Sequence, residues 1–116
     1  MGELSVLGLG DLGEEGQQRL LDKERQLLAK ASAGNLIVKV AHHGSKDQSA
    51  ELMNFLRPDV AVFSVGENTY GHPTGSALQL ANLASSQIVR TDLSGSLAFE
   101  LRGSELRFSA AGKLTE

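Results

Sequence analysis

The 116-residue chain predicts an α/β fold: a mixed sheet with about three helices and a C-terminal β-hairpin. Three observations carry this. Short apolar runs at residues 4–9, 36–40 and 60–65 alternate with stretches of helical spacing. Each run ends in glycine or polar residues, as a strand does when it enters a loop. The last third holds two alternating segments around Arg102-Gly103-Ser104, the pattern of an antiparallel hairpin. The expected organisation is one domain over residues 1–109 and a frayed tail at 110–116.

Residues 4–9 form a plausible strand that stops at Gly10 and Asp11. Glu14 and Glu15 then open a helix, where carboxylates suit the positive end of the dipole. Leu20, Leu21, Leu27, Leu28 and Ala31 share one helical face, and Gly34 is the stop. Leu36-Ile37-Val38-Lys39-Val40 is a β-branched run and reads as a buried strand ending at His42-His43-Gly44-Ser45. A second helix is predicted from about residue 47 to 56, burying Leu52, Met53 and Leu56, before Arg57-Pro58. Residues 60–65 give another buried strand and 66–71 a polar loop. Pro73 stands where prolines start helices, and Ala77, Leu80, Ala81 and Ala84 supply that helix's inner face. Residues 88–90 make a brief strand before the hairpin at 97–101 and 106–108.

Composition narrows the chemistry. Aromatics are only 4% of the chain, so Leu, Val, Ile and Ala must fill the core. No apolar run approaches the ~20 residues of a membrane span, and no signal-peptide pattern opens the sequence, which reads as a soluble domain. With no cysteine, disulfides and thiolate sites are excluded, leaving His, Asp, Glu and water for any metal. A net charge of −3 argues against broad nucleic-acid binding through basic patches. DNA stays open as a substrate for a local metal site, because the cation itself would meet the phosphate.

In open α/β sheets, ligand groups gather beyond the carboxyl ends of the strands. Asp11, then His42 with His43, then Asn68, Tyr70 and His72 occupy three such ends, and all three histidines of the chain are among them. If the strands are parallel, these groups converge on one edge. Each has a plainer role. An Asp before a helix is commonly a cap or turn residue. One histidine can bond a carbonyl while its neighbour faces water. His72 can be a helix-start residue and Tyr70 a packing residue. As neighbours in an extended segment, His42 and His43 are expected to point to opposite sides, one toward a metal and the other toward substrate. Ser45 has no acid–base partner nearby to make it a nucleophile.

These motifs resemble a known family. Gly10-Asp11-Leu12-Gly13-Glu14-Glu15-Gly16, with Leu20-Leu21, is similar to the Gly-Asp segment of ComEC-type metallo-β-lactamase domains. Val38-Lys39-Val40-Ala41-His42-His43-Gly44-Ser45 resembles that family's Lys-x-x-His-His-Gly-Ser segment, and residues 57–66 its next strand. Asn68-Thr69-Tyr70-Gly71-His72-Pro73 resembles its Asn-x-Tyr-Gly-His-Pro loop, and Arg90-Thr91-Asp92 with Gly95 its closing segment. The likeness spans residues 4–101 in order.

The resemblance implies half of an αββα sandwich and a metal-dependent phosphodiesterase or nuclease linked to DNA uptake. Asp11 would bridge metals, His42 would be the last metal-ligand histidine, and His43 would contact phosphate or support a ligand. His72 would line the substrate cleft, which makes Asp11, His43 and His72 the catalytic set and Asp11 and His42 the metal set. The implied cofactor is divalent zinc or manganese, the implied substrate DNA, and the implied parent a bacterial membrane protein with this domain outside the bilayer.

The family's N-terminal His-x-His/Asp-x-Asp-His cluster is absent, and Leu9 replaces the usual Thr before Gly-Asp. By that resemblance the chain is expected to start midway through such a domain, with weak or absent metal binding and little hydrolysis from it alone. The missing N-terminal half is an expected partner. An uncovered apolar face is expected to favour homo-oligomers. Two other readings fit the same residues: a non-catalytic α/β interaction module, and a phosphate-binding module using the helix N-termini after Ser45 and Pro73.

Overall fold

Four short strands lie side by side in sequence order: β1 (Leu4–Gly8), β2 (Asn35–Lys39), β3 (Val60–Phe63) and β4 (Gln87–Arg90). All three pairings are parallel. The computed structural model describes residues 4–65, 71–94, 96–102 and 105–111, so Asn68, Tyr70 and Gly95 lie outside the described residues. So does the hairpin turn at Gly103-Ser104.

The strand sequences explain why they pair this way. Leu36, Ile37 and Val38 of β2 are all buried, and so are the four residues of β3. Strands covered on both faces read as continuous apolar runs rather than alternating ones, and parallel strands need helical crossovers between them. Those crossovers are α1 (Glu14–Lys23), α2 (Arg25–Ala33), α3 (Ala50–Leu56) and α4 (Gly75–Leu83). Leu36 and Val38 pack with Leu21, Leu28, Leu52 and Leu56 of the first three helices. Ala61 and Phe63 pack with Met53 of α3 and Ala77 and Ala81 of α4.

The opposite face of the sheet presents Ile37, Val60, Val62 and Val89, with Leu106 against them. Leu106 belongs to β6 (Glu105–Ala111), which pairs antiparallel with β5 (Ser96–Arg102). The hairpin is thus a second, two-stranded sheet, and the main sheet is purely parallel where a single mixed sheet was expected. A helical turn, α5 (Thr91–Ser94), separates β4 from β5, so the chain leaves the first sheet before the hairpin begins. Strand β6 runs to Ala111, past residue 109. Residues 112–116 lie outside the described residues.

Three further boundaries differ from the sequence reading. The long first helix is broken at Glu24, whose φ of −118° and ψ of 30° are non-helical. The break rephases the second half of that helix: Leu28 is buried, but Leu27 is 63% exposed. With α5, this gives five α-helices among the described residues, where about three were expected. Helix α3 begins at Ala50 because Ser49 Oγ accepts the Leu52 N–H at 3.0 Å, and it ends at Arg57 in the left-handed conformation before Pro58. Helix α4 begins at Gly75 because Thr74 Oγ1 accepts the Ala77 N–H at 3.2 Å. Pro73 therefore precedes the cap and is not the first helical residue.

Candidate functional site

Because the four strands are parallel, the segments leaving them meet at one edge of the sheet. After β1 the chain turns at Gly10, whose φ is +57°. Gly10 O accepts the His42 N–H at 2.9 Å, which ties the loop after β1 to the turn after β2. The result places Asp11 Oδ1 4.0 Å from His42 Nδ1. That separation is too long for a hydrogen bond. Donors about 2.0–2.2 Å from one tetrahedral ion stand roughly 3.3–3.6 Å apart, so a small closing movement of the Asp11 side chain would let both groups reach a shared cation. The Asp11 side chain is 96% exposed and that of His42 38%, so other donors or water can reach both.

His42 and His43 do not lie in an extended segment as expected. Both sit inside a one-turn 3₁₀ segment, Ala41–Gly44, with φ of 50° and 53°. Such left-handed conformations cost a non-glycine residue about 1–3 kcal/mol each, and the surroundings must impose them. Gln48 does much of this. Its Nε2 donates to Ala41 O at 2.9 Å and to Ser45 O at 3.0 Å, clamping both ends of the turn. Gly44 closes it with φ +87°, pressed so near Pro73 and Phe63 that a Cβ there would stand 2.6 and 2.7 Å from their side chains.

The two rings have different partners. His43 Nδ1 lies 2.6 Å from Ser64 O, at the end of β3. His72 comes to the same edge because Thr74 N and Oγ1 both donate to Gly44 O, at 2.8 and 3.1 Å, seating the 72–74 segment on the turn. Asp11, His42, His43 and His72 thus share the carboxyl edge. Among the described residues, no three His, Asp or Glu side chains come together as a ready metal cage.

Sequence reasoning missed the supports beneath these groups. Gln17 is fully buried and bonds Leu12 O, Gln48 Oε1 and Ser49 N, at 2.8, 2.9 and 2.9 Å. Asp47 Oδ1 accepts the Glu14 N–H at 2.9 Å, so it serves the start of α1 and not that of α3. Thr91 Oγ1 accepts the Val65 N–H at 2.7 Å. Arg90 donates to both oxygens of Asp92 at 3.1 and 2.8 Å, and this hydrogen bonding raises the guanidinium pKa above its ordinary value. Gln17 had a visible signal: it stands four residues before Leu21, a polar side chain on the core stripe of α1.

The chain is 33% identical over 110 residues to ComE operon protein 3 of Bacillus subtilis (strain 168), covering 93% of the chain and 13% of that protein. Competence protein ComA of Neisseria gonorrhoeae is 34% identical over 105 residues, covering 86% and 14% respectively. The chain resembles one segment of much longer proteins. Recombination protein 2 of Haemophilus influenzae gives a third match, 33% identical over 75 residues, 63% of the chain and 10% of that protein. No protein-family model matches the chain. No solved structure matches it either.

Proposed function

We propose that this chain is the C-terminal half of a metallo-β-lactamase-fold domain of a DNA-uptake protein, contributing part of a divalent-metal site that acts on DNA phosphodiesters. The observation that carries the reading is the 4.0 Å approach of Asp11 Oδ1 to His42 Nδ1 across two strand ends. A carboxylate and an imidazole without thiolates suit zinc or manganese. Such ions, when bound, engage phosphate oxygens and lower the pKa of a bound water. Asp11 and His42 hold the ion, His43 and His72 line the approach of the substrate, and the open sides of Asp11 leave room for donors from the missing half. Two donors alone bind an ion weakly, and this chain by itself is inactive.

The relatives support a role linked to DNA uptake, since the Neisseria protein is a competence protein. Among the described residues no helix is long and apolar enough to cross a membrane. Leu4 and Val6 on the open edge strand β1 are exposed, and the N-terminal half, or in its absence a second copy, covers them. The rival reading as a phosphate site at helix N-termini is less favoured, because Ser49 and Thr74 already cap α3 and α4.

The test is titration of Zn²⁺ or Mn²⁺ into the chain while its imidazole NMR signals are monitored. The expected result is selective shift or broadening at His42, abolished by Asp11→Ala. Signals at His42 and His43 that stay in place at millimolar metal would end the reading.

A further inference from the structure

The Ser64 carbonyl and the Val65 N–H belong to the same peptide unit, a trans one. Its oxygen faces His43 Nδ1 at 2.6 Å, and its N–H donates to Thr91 Oγ1 at 2.7 Å. One peptide plane is therefore gripped from both sides, by a residue of the β2 turn and a residue at the end of β4. The directions of these bonds are fixed by chemistry. A carbonyl only accepts, so His43 Nδ1 must carry the proton. The Thr91 hydroxyl accepts from Val65, so its own proton goes to Val65 O at 3.0 Å or Phe63 O at 3.4 Å. Consecutive hydrogen bonds through one peptide polarise each other.

We propose that Thr91 is a positioning residue for His43: it pins the Ser64–Val65 peptide so that the ring keeps its proton on Nδ1 and presents Nε2 as a lone pair at the sheet edge. Neutral His43 is then an acceptor at Nε2, able to meet a cation or an acidic proton and unable to donate to a phosphate oxygen. This deepens the proposed metal site and rests on it for its functional meaning, but the tautomer stands on the hydrogen bonds alone. A histidine whose other nitrogen is held by a backbone carbonyl is oriented in the way ligating and proton-accepting rings are. Without the hydroxyl, the buried Val65 N–H has no acceptor there and the peptide is free to tilt.

The experiment reads the ¹⁵N signals of His43 in the full chain, at a pH where the ring is neutral, for wild type, Thr91→Val and Thr91→Ser. Wild type is expected to show Nε2 as the unprotonated nitrogen. Thr91→Val keeps the side-chain shape and removes the hydroxyl, and it is expected to move the tautomer ratio about five-fold toward Nε2–H, the worth of one net hydrogen bond. Thr91→Ser restores the hydroxyl and is expected to restore the wild-type ratio. A wild-type ring protonated on Nε2 overturns the proposal. So does a Thr91→Val ratio equal to wild type, or a Thr91→Ser ratio shifted like the valine. If Thr91→Val does not fold, the wild-type tautomer and the Thr91→Ser ratio still decide. Zinc titration of the wild type reports separately: signals that ignore zinc sink the metal reading and leave the tautomer result intact.

Discussion

Gln17 and Gln48 meet beneath the sheet edge, Gln17 Nε2 donating to Gln48 Oε1 at 2.9 Å, and neither amide keeps an unused proton. The second Gln17 proton goes to Leu12 O, and the two Gln48 protons go to Ala41 O and Ser45 O. The pair thus joins the loop that carries Asp11 to the turn that carries His42 and His43. A fully satisfied buried network fixes one arrangement, whereas a half-satisfied one is costly.

Gln48→Leu tests that link. It strips Ala41 O and Ser45 O of their donor and leaves a Gln17 N–H without its acceptor, each at about 1–3 kcal/mol when buried. A total loss of about 3 kcal/mol in unfolding free energy is expected, since some carbonyls recover water. Urea denaturation measures it. A loss below the error of the method would mean that the turn holds its shape without the amide.

Asp11→Asn should separate stability from chemistry. The side chain is almost wholly exposed, so the change is expected to alter stability by no more than about 0.5 kcal/mol. Zinc affinity, measured by calorimetry, is expected to fall at least ten-fold, because a neutral amide is a far poorer ligand for a divalent cation. Equal zinc binding by both proteins would remove Asp11 from the site.

Parts of this arrangement are legible in the sequence. The apolar runs of β2 and β3 are short, β-branched and bounded by polar residues, and local pattern is enough to find them. The edge set Asp11, His42, His43 and His72 comes from strand ends alone. Leu27 is misplaced because helical periodicity assumes an unbroken axis, and nothing in Lys23-Glu24-Arg25 announces a break. The left-handed His42 and His43 are invisible because their conformations are imposed by Gln48 and Gly44, through contacts that no local propensity encodes. Asp47 looks like the start of α3 because an Asp there is a natural cap, and only the tertiary fold sends it to Glu14.

Gly44→Ala is expected to be among the most damaging single changes on the edge. A φ of +87° is unfavourable for alanine, and the added Cβ would sit against buried Phe63 and Pro73. Strain and overpacking together are expected to cost about 2–4 kcal/mol. The lowered thermal midpoint should come with shifted His43 signals, as the turn moves to make room. A variant as stable as wild type would show that the turn yields cheaply.

The edge strand gives the last prediction. β1 pairs only with β2 among the described strands, carries no charged residue in Leu4–Gly8, and holds Val6 69% exposed on the same face as buried Ile37. Isolated edge strands are normally blunted by lysine, proline or a bulge, and this one has none of them. The chain on its own is therefore expected to self-associate as its concentration rises. Val6→Lys places a charge where a second strand would pack, and removes the contribution of burying one valine, about 1.5 kcal/mol for each copy. Sedimentation velocity across a hundred-fold range of concentration should show wild type shifting toward a dimer and Val6→Lys staying monomeric, with unchanged circular dichroism. A wild-type chain that stays monomeric throughout would show that this edge is tolerated bare, and that neither a second copy nor a missing half is required to cover it.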